Sequence, residues 1–135
     1  MLARLQQFTT ALLLGLAGLW LVFWWGSSVP LALSGFVFLL LGYSLFLAAE
    51  FVALHSLNRR DPIGPATWGE TLRAWWGETL TGPRVFCWRQ PFRANAVPDY
   101  LPHNGQRGVV LVHGFICNRG LWTPWLKQLR QRERA

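Results

Sequence analysis

From Phe8 to Trp25 the chain carries no charged side chain, and after Gly26-Ser27-Ser28 a second uncharged run extends from Val29 to Ala49. No other feature of the 135 residues restricts the fold as strongly. Eighteen helical residues at ~1.5 Å each cover roughly 27 Å, close to the hydrocarbon thickness of a bilayer. A helix that is apolar all round must be enclosed by protein or by lipid. A chain this short has little protein with which to enclose two of them. The expectation is a transmembrane helical hairpin over residues 1–57, with helices at about 8–25 and 29–54. The three-residue connection forces the helices to run antiparallel. Pro30 then falls in the first turn of the second helix, where its missing N–H costs little. A cleaved leader fits poorly, because the apolar stretch exceeds the usual length of about 7–15 residues and lacks a small-x-small site at its Trp-rich end.

Charge sets the orientation. Before Leu57 the only charged side chains are Arg4 and Glu50; from Leu57 onward there are twelve basic and five acidic ones, which carry the whole net charge of +7. Arg4 and the α-amino group precede the first run, Asn58-Arg59-Arg60 follow the second, and the connecting turn has no charge. An excess of positive charge marks the cytoplasmic side, so both termini are expected there, in a bacterial-type inner or plasma membrane. Trp20, Trp24 and Trp25 crowd the far end of the first run, where indole rings favour the boundary between lipid and water. A basic half beside a membrane segment points to a lipid bilayer with anionic headgroups as partner. The arginines are scattered among tryptophans and prolines without a reader motif, which argues against nucleic acid. Glu50, about one turn from the cytoplasmic end, reads as a carboxylate at headgroup level. Gly15 with Gly18, or Gly35 with Gly42, are candidate close-packing positions, though neither pair makes GxxxG. Cys87 and Cys117 match neither a CxxC redox spacing nor a zinc site and read as small apolar residues. No cofactor or metal site is expected.

Residues 58–82 read as a linker and an amphipathic helix. Asp61-Pro62-Ile63-Gly64-Pro65 is turn chemistry. Thr67 followed by Glu70 has the pattern of a capping box. Trp68, Leu72, Trp75, Trp76 and Leu80 recur at helical spacing, with Glu70, Arg73 and Glu78 on the other side. Gly82-Pro83 is expected to end this helix. Tryptophan suits two placements equally: a helix in the headgroup plane with Trp68, Trp75 and Trp76 dipped into lipid, or a helix packed on protein.

Residues 83–135 carry the remaining pattern. Val85 to Phe92 is aromatic-rich and bounded by prolines, which predicts a strand. A loop over 94–107 follows. Gly108 to Val112 is a short continuous apolar run, as in a strand buried on both faces of a parallel sheet, and it ends in His113-Gly114-Phe115. Asn118 offers a cap. Leu121, Trp122, Trp125, Leu126 and Leu129 then form an apolar stripe, with Lys127, Arg130 and Arg132 facing away and Pro124 in the first turn. Strand, glycine turn and helix make the opening unit of an α/β fold. The fold class expected is therefore a membrane α-helical hairpin followed by an incomplete α/β segment.

GVVLVHGF followed by CNRGLWTPWLKQL resembles the opening of the α/β-hydrolase family, in its lipase- and esterase-like members. The similarity covers about Gly108 to Leu129, with a weaker extension back to Val85. It implies that the backbone N–H of Phe115 forms half of an oxyanion hole, that Gly114 lets the turn close, and that His113 supports it. It also implies an ester or acyl substrate. Fixed amide donors of this kind stabilise the developing oxyanion by about 3–4 kcal/mol each. The family's serine sits in G-x-S-x-G, followed by an acid and a histidine. Here the last serine is Ser56, and no such elbow occurs. Cys117 has the wrong spacing for one, and His55 and His103 are isolated, interfacial or solvated. The resemblance thus implies the N-terminal portion of a membrane-anchored serine hydrolase, inactive alone. The alternative is a small non-catalytic integral membrane protein whose basic, Trp-rich segment binds lipid or a partner protein.

Overall fold

The computed structural model describes residues 1–60, 64, 66–99 and 109–132, and every regular element among them is helical. Helix α1 runs Leu2–Trp25, α2 Val29–Leu41 and α3 Tyr43–Leu57, with a 3₁₀ turn over Asn58–Arg60. Helix α4 runs Trp68–Pro83 and continues through a π-helical stretch, Arg84–Arg89, into the short α5, Gln90–Phe92. A 3₁₀ turn over Arg119–Trp122 leads into α6, Thr123–Arg132. The expected turn at 61–65 (Gly64 apart), the 100–107 part of the expected loop, His103 and Gly108 lie outside the described residues. Two compact units are present: Met1–Phe8 with Pro83–Ala135, and Thr9–Gly82.

In the Thr9–Gly82 unit, α1 and α2 meet where Trp20 lies over Gly35. A Cβ on Gly35 would fall 1.9 Å from the indole nitrogen of Trp20, and that N–H donates to the Leu31 carbonyl at 3.2 Å. Ala17 and Ala32 are fully buried on the same two helices. Small residues of this kind let helices approach closely without relying on a water-driven core. Of the candidate glycines, Gly35 is therefore a true packing position, whereas a Cβ at Gly15 or Gly18 would meet nothing within 4 Å.

The second apolar run is not the single helix expected over 29–54. Helices α2 and α3 are bent by 51° at Gly42, whose N–H still reaches the Phe38 carbonyl at 2.7 Å. A side chain at residue 42 would press on that carbonyl, and glycine is a recognised site of helix kinks.

Helix α4 lies antiparallel along α3. At one end the Tyr43 hydroxyl donates to the Thr79 carbonyl, and the Trp75 indole N–H donates to the Ser44 carbonyl at 2.9 Å. At the other, the His55 ring stacks on Trp68 with centroids 3.9 Å apart, and His55 Nδ1 lies 3.3 Å from Thr71 Oγ1. The Thr71 hydroxyl gives its proton to the Thr67 carbonyl at 3.0 Å. It can therefore only accept from His55, which places the imidazole proton on Nδ1.

The start of α4 is the capping box read from the sequence. Thr67 N–H donates to Glu70 Oε2 at 2.8 Å, and Glu70 N–H returns to Thr67 Oγ1 at 3.3 Å. The Thr67 N–H and hydroxyl, with Arg73 nearby, hold the Glu70 carboxyl below its ordinary value.

Its end differs from expectation. Gly82-Pro83 does not stop the helix; the backbone passes through Pro83 into the π-helical turn, where the Gln90 N–H reaches the Val85 carbonyl five residues back. Proline removes the donor for the carbonyl four residues earlier, here that of Thr79, and the Tyr43 hydroxyl occupies it.

The α/β expectation is overturned, because no strand occurs among the described residues. Residues 85–92, expected as a strand, are helical. Only Val85 among them is β-branched, and aromatic residues favour strands chiefly where a sheet gives them neighbours to pack on. Residues 109–112, expected as a buried strand, are irregular and largely exposed. A parallel strand needs partners on both edges and cover on both faces, and the described residues supply neither. The helix expected after Asn118 is present as the Arg119–Trp122 turn and α6.

Candidate functional site

The unit formed by Met1–Phe8 and Pro83–Ala135 is organised around Gln90, the one large side chain among its described residues with no exposed surface. Its Oε1 accepts from Gln6 Nε2 at 3.1 Å and from the Asn118 N–H at 2.9 Å. Its own carbonyl accepts from Asn118 Nδ2, also at 2.9 Å. Asn118 then turns its Oδ1 to the Gly120 N–H at 2.8 Å, which caps the 3₁₀ turn. Gln7 Nε2 adds a bond to the Pro91 carbonyl at 2.7 Å. Gly120 is required here: a Cβ would lie 2.5 Å from the Arg89 carbonyl oxygen and 2.7 Å from Gln90 Cα, both backbone atoms that cannot yield. Burying an amide side chain is favourable only when it is hydrogen-bonded; the Gln90 side chain has two such bonds, both on Oε1, and its Nε2 is buried without a partner.

This clamp holds the downstream end of the segment that carries His113, Gly114 and Phe115. Those three residues are exposed, and the last two enter a turn spanning Gly114–Cys117, closed by the Cys117 N–H donating to the Gly114 carbonyl at 3.1 Å. His113 Nδ1 also lies 3.0 Å from that carbonyl, which assigns its proton to Nδ1 because a carbonyl can only accept. Phe115 is fully exposed. Beside the turn is a half-open concavity of about 300 Å³, lined by Val109, Leu111, His113, Arg119, Trp122 and Leu126. Arg119 is paired with Asp99 at 2.8 Å. The structure thus places Gly114 and Phe115 in the turn, with His113 just before it and against the Gly114 carbonyl.

The tryptophans singled out for the membrane interface separate into two groups. Trp20 covers Gly35, and Trp24 packs on it with centroids 5.8 Å apart. Trp75 is tied to the Ser44 carbonyl. Trp25, Trp68 and Trp76 are 55%, 49% and 55% exposed, so half of each indole faces away from the chain. Cys87 and Cys117 are free, part-buried thiols, and among the described residues no three His, Cys, Asp or Glu side chains converge on a point.

Sequence reasoning missed Gln90 and Gly120, the residues that hold the turn. The turn-like triplet Asn118-Arg119-Gly120 is the signal that could have marked Gly120; nothing local marks Gln90, whose partners lie 84 and 28 residues away. No family model, no curated protein and no solved structure matches the chain.

Proposed function

We propose that this chain is the bilayer anchor of an enzyme that hydrolyses esters or acyl compounds, with both termini on the cytoplasmic side. Helix α1 and the bent α2–α3 pair sit in lipid, and the His113–Phe115 segment lies outside it and supplies an oxyanion donor. The observation that carries the anchor is the exposure of α1: within its most apolar eighteen residues only 6% is buried. An apolar helix of a water-soluble core is enclosed by protein, and this one is not. Leu12, Leu19, Val22 and Phe23 on α1, and Leu33, Val37 and Phe38 on α2, are about half exposed or more. Left in water, such area would cost about 25 cal/mol per Å².

Support for the hydrolytic role is narrower. It rests on the likeness of GVVLVHGF to the oxyanion turn of lipases and esterases, and on an exposed turn at those residues. Because no serine follows Ser56, the nucleophile comes from a further segment or from another chain. A fluorophosphonate probe applied to membranes holding the natural gene product tests this role. Labelling of a species that carries the present residues is the expected result; retention in the membrane without any labelling contradicts it. Orientation is tested with a membrane-impermeant maleimide on Ser27→Cys and Asn58→Cys variants lacking the native cysteines. In inside-out vesicles residue 58 is labelled and residue 27 protected; the reverse pattern overturns the orientation.

A further inference from the structure

Helix α4 has three distinct sectors. Thr71, Trp75 and Thr79, four residues apart, form the side that docks on α3: both threonines are buried and Trp75 is hydrogen-bonded to the Ser44 carbonyl. One step round the helix, Trp68, Leu72, Trp76 and Leu80 repeat at the same interval of four and are 49%, 59%, 55% and 44% exposed. The third sector carries Glu70, Arg73, Gly77, Glu78 and Thr81, all exposed. Residues at this interval share one face of a helix. The spacing of the tryptophans suggested one apolar face, whereas the structure divides them between two.

We infer that the Trp68–Leu72–Trp76–Leu80 stripe is a bilayer-docking surface: the 51° bend at Gly42 turns α3 off the line of α2, and α4, held along α3 by its Thr71–Trp75–Thr79 side, lies with it against the acyl–headgroup boundary. This inference rests on the membrane reading of α1–α3 and adds to it where α4 sits and which residues touch lipid. Three observations favour lipid over another occupant. First, the neighbouring α3 is itself apolar and exposed at Leu45, Phe46, Val52 and Leu54, so the stripe continues a surface already assigned to lipid in the same unit. Second, the stripe carries two tryptophans, whose rings are apolar while their N–H groups remain hydrogen-bond donors, a combination suited to the boundary region. Third, Glu70 and Glu78 lie on the side of α4 turned away from the stripe, as an amphipathic helix in the interface plane requires. Arg59, in the 3₁₀ turn that follows α3, adds a cation at the level where anionic headgroups would meet it. The hydrogen bonds from Tyr43 and Trp75 fix the rotation of α4 about its axis, so the stripe is presented in one orientation.

Spin-label accessibility tests the inference on the full chain reconstituted in vesicles of phosphatidylcholine with phosphatidylglycerol. Single labels are placed, in a cysteine-free background, at Leu72→Cys, Trp76→Cys and Leu80→Cys, at Glu70→Cys, Gly77→Cys and Thr81→Cys, and on α1 at Leu19→Cys and Val22→Cys. Oxygen partitions into lipid and a polar nickel chelate into water, so their ratio reports depth. Positive depth values at 72, 76 and 80 with negative values at 70, 77 and 81 are expected. Water-like values at 72, 76 and 80 while Leu19 and Val22 remain lipid-exposed would overturn the stripe and leave the anchor intact. Water-like values at Leu19 and Val22 as well would remove the anchor itself. Dipolar broadening between copies at 72, 76 and 80, with neither reagent gaining access, would assign the stripe to a second copy of this chain and also overturn the inference.

Discussion

The hydroxyl of Tyr43 donates to the main-chain carbonyl of Thr79, the carbonyl that Pro83 leaves without its helical donor. Two oddities of the sequence, a polar residue just after the Gly42 bend and a proline inside a helix, thereby account for each other. Tyr43→Phe is expected to destabilise the folded chain by about 1–3 kcal/mol, the cost of leaving a shielded carbonyl without a donor. In a Pro83→Ala background the backbone N–H of residue 83 can serve that carbonyl, and the cost of Tyr43→Phe should shrink. Thermal unfolding of the four variants in detergent micelles measures the difference; equal costs in both backgrounds would detach Tyr43 from Pro83.

The α1–α2 contact depends on residue 35 having no side chain. Gly35→Val puts a branched side chain where Trp20 now lies and forces the indole off the Leu31 carbonyl. Overpacking of this kind costs about 1–3 kcal/mol. Gly15→Val, with nothing within 4 Å, is expected to be far milder. Comparing the unfolding midpoints of the two variants checks the asymmetry.

Gln90 is expected to be the most sensitive polar residue of its unit. Gln90→Leu removes the acceptor of both the Gln6 side chain and the Asn118 N–H and is expected to destabilise the unit by about 1–3 kcal/mol. Gly120→Ala acts at the same point by crowding the Arg89 carbonyl. Both substitutions should speed proteolysis between residues 109 and 118, whereas His113→Ala, at an exposed position, should not.

The Glu70 carboxyl is held below its ordinary value by the Thr67 N–H and hydroxyl and then by Arg73. A carboxyl lowered in the folded state contributes stability above its unfolded value and loses it as pH falls through the folded one. The first turn of α4 is therefore expected to fray as pH falls beneath the ordinary glutamate range. The amide resonances of Thr67 and Glu70 report this. Glu70→Gln, which keeps an acceptor for the cap, should remove the pH dependence.

How far the fold could be read from sequence depended on whether the signal was local. The Phe8–Trp25 helix, the Pro30 start of α2 and the Thr67–Glu70 box were legible because composition or a three-residue spacing encodes each. The bend at Gly42 was not, since the apolar run passes through it unbroken and only the Phe38 carbonyl beneath residue 42 marks the place. Residues 85–92 misled because aromatic residues between prolines fit a strand as well as a helix, and the deciding contacts come from Gln6 and Asn118, far away in the chain. That a turn would follow the 109–112 run was legible from Gly114, although it spans Gly114–Cys117 and leaves His113 outside. Its setting was not, because the expected strand before it has no sheet among the described residues to join.

Extraction of membranes with alkaline carbonate tests most directly whether the two apolar runs lie in lipid. The intact chain is expected to stay in the pellet with integral proteins, and to enter the supernatant only when detergent is added. Release of the intact chain by carbonate alone would show that α1 and the α2–α3 pair are not embedded, and the lipid-facing stripe on α4 would fall with them.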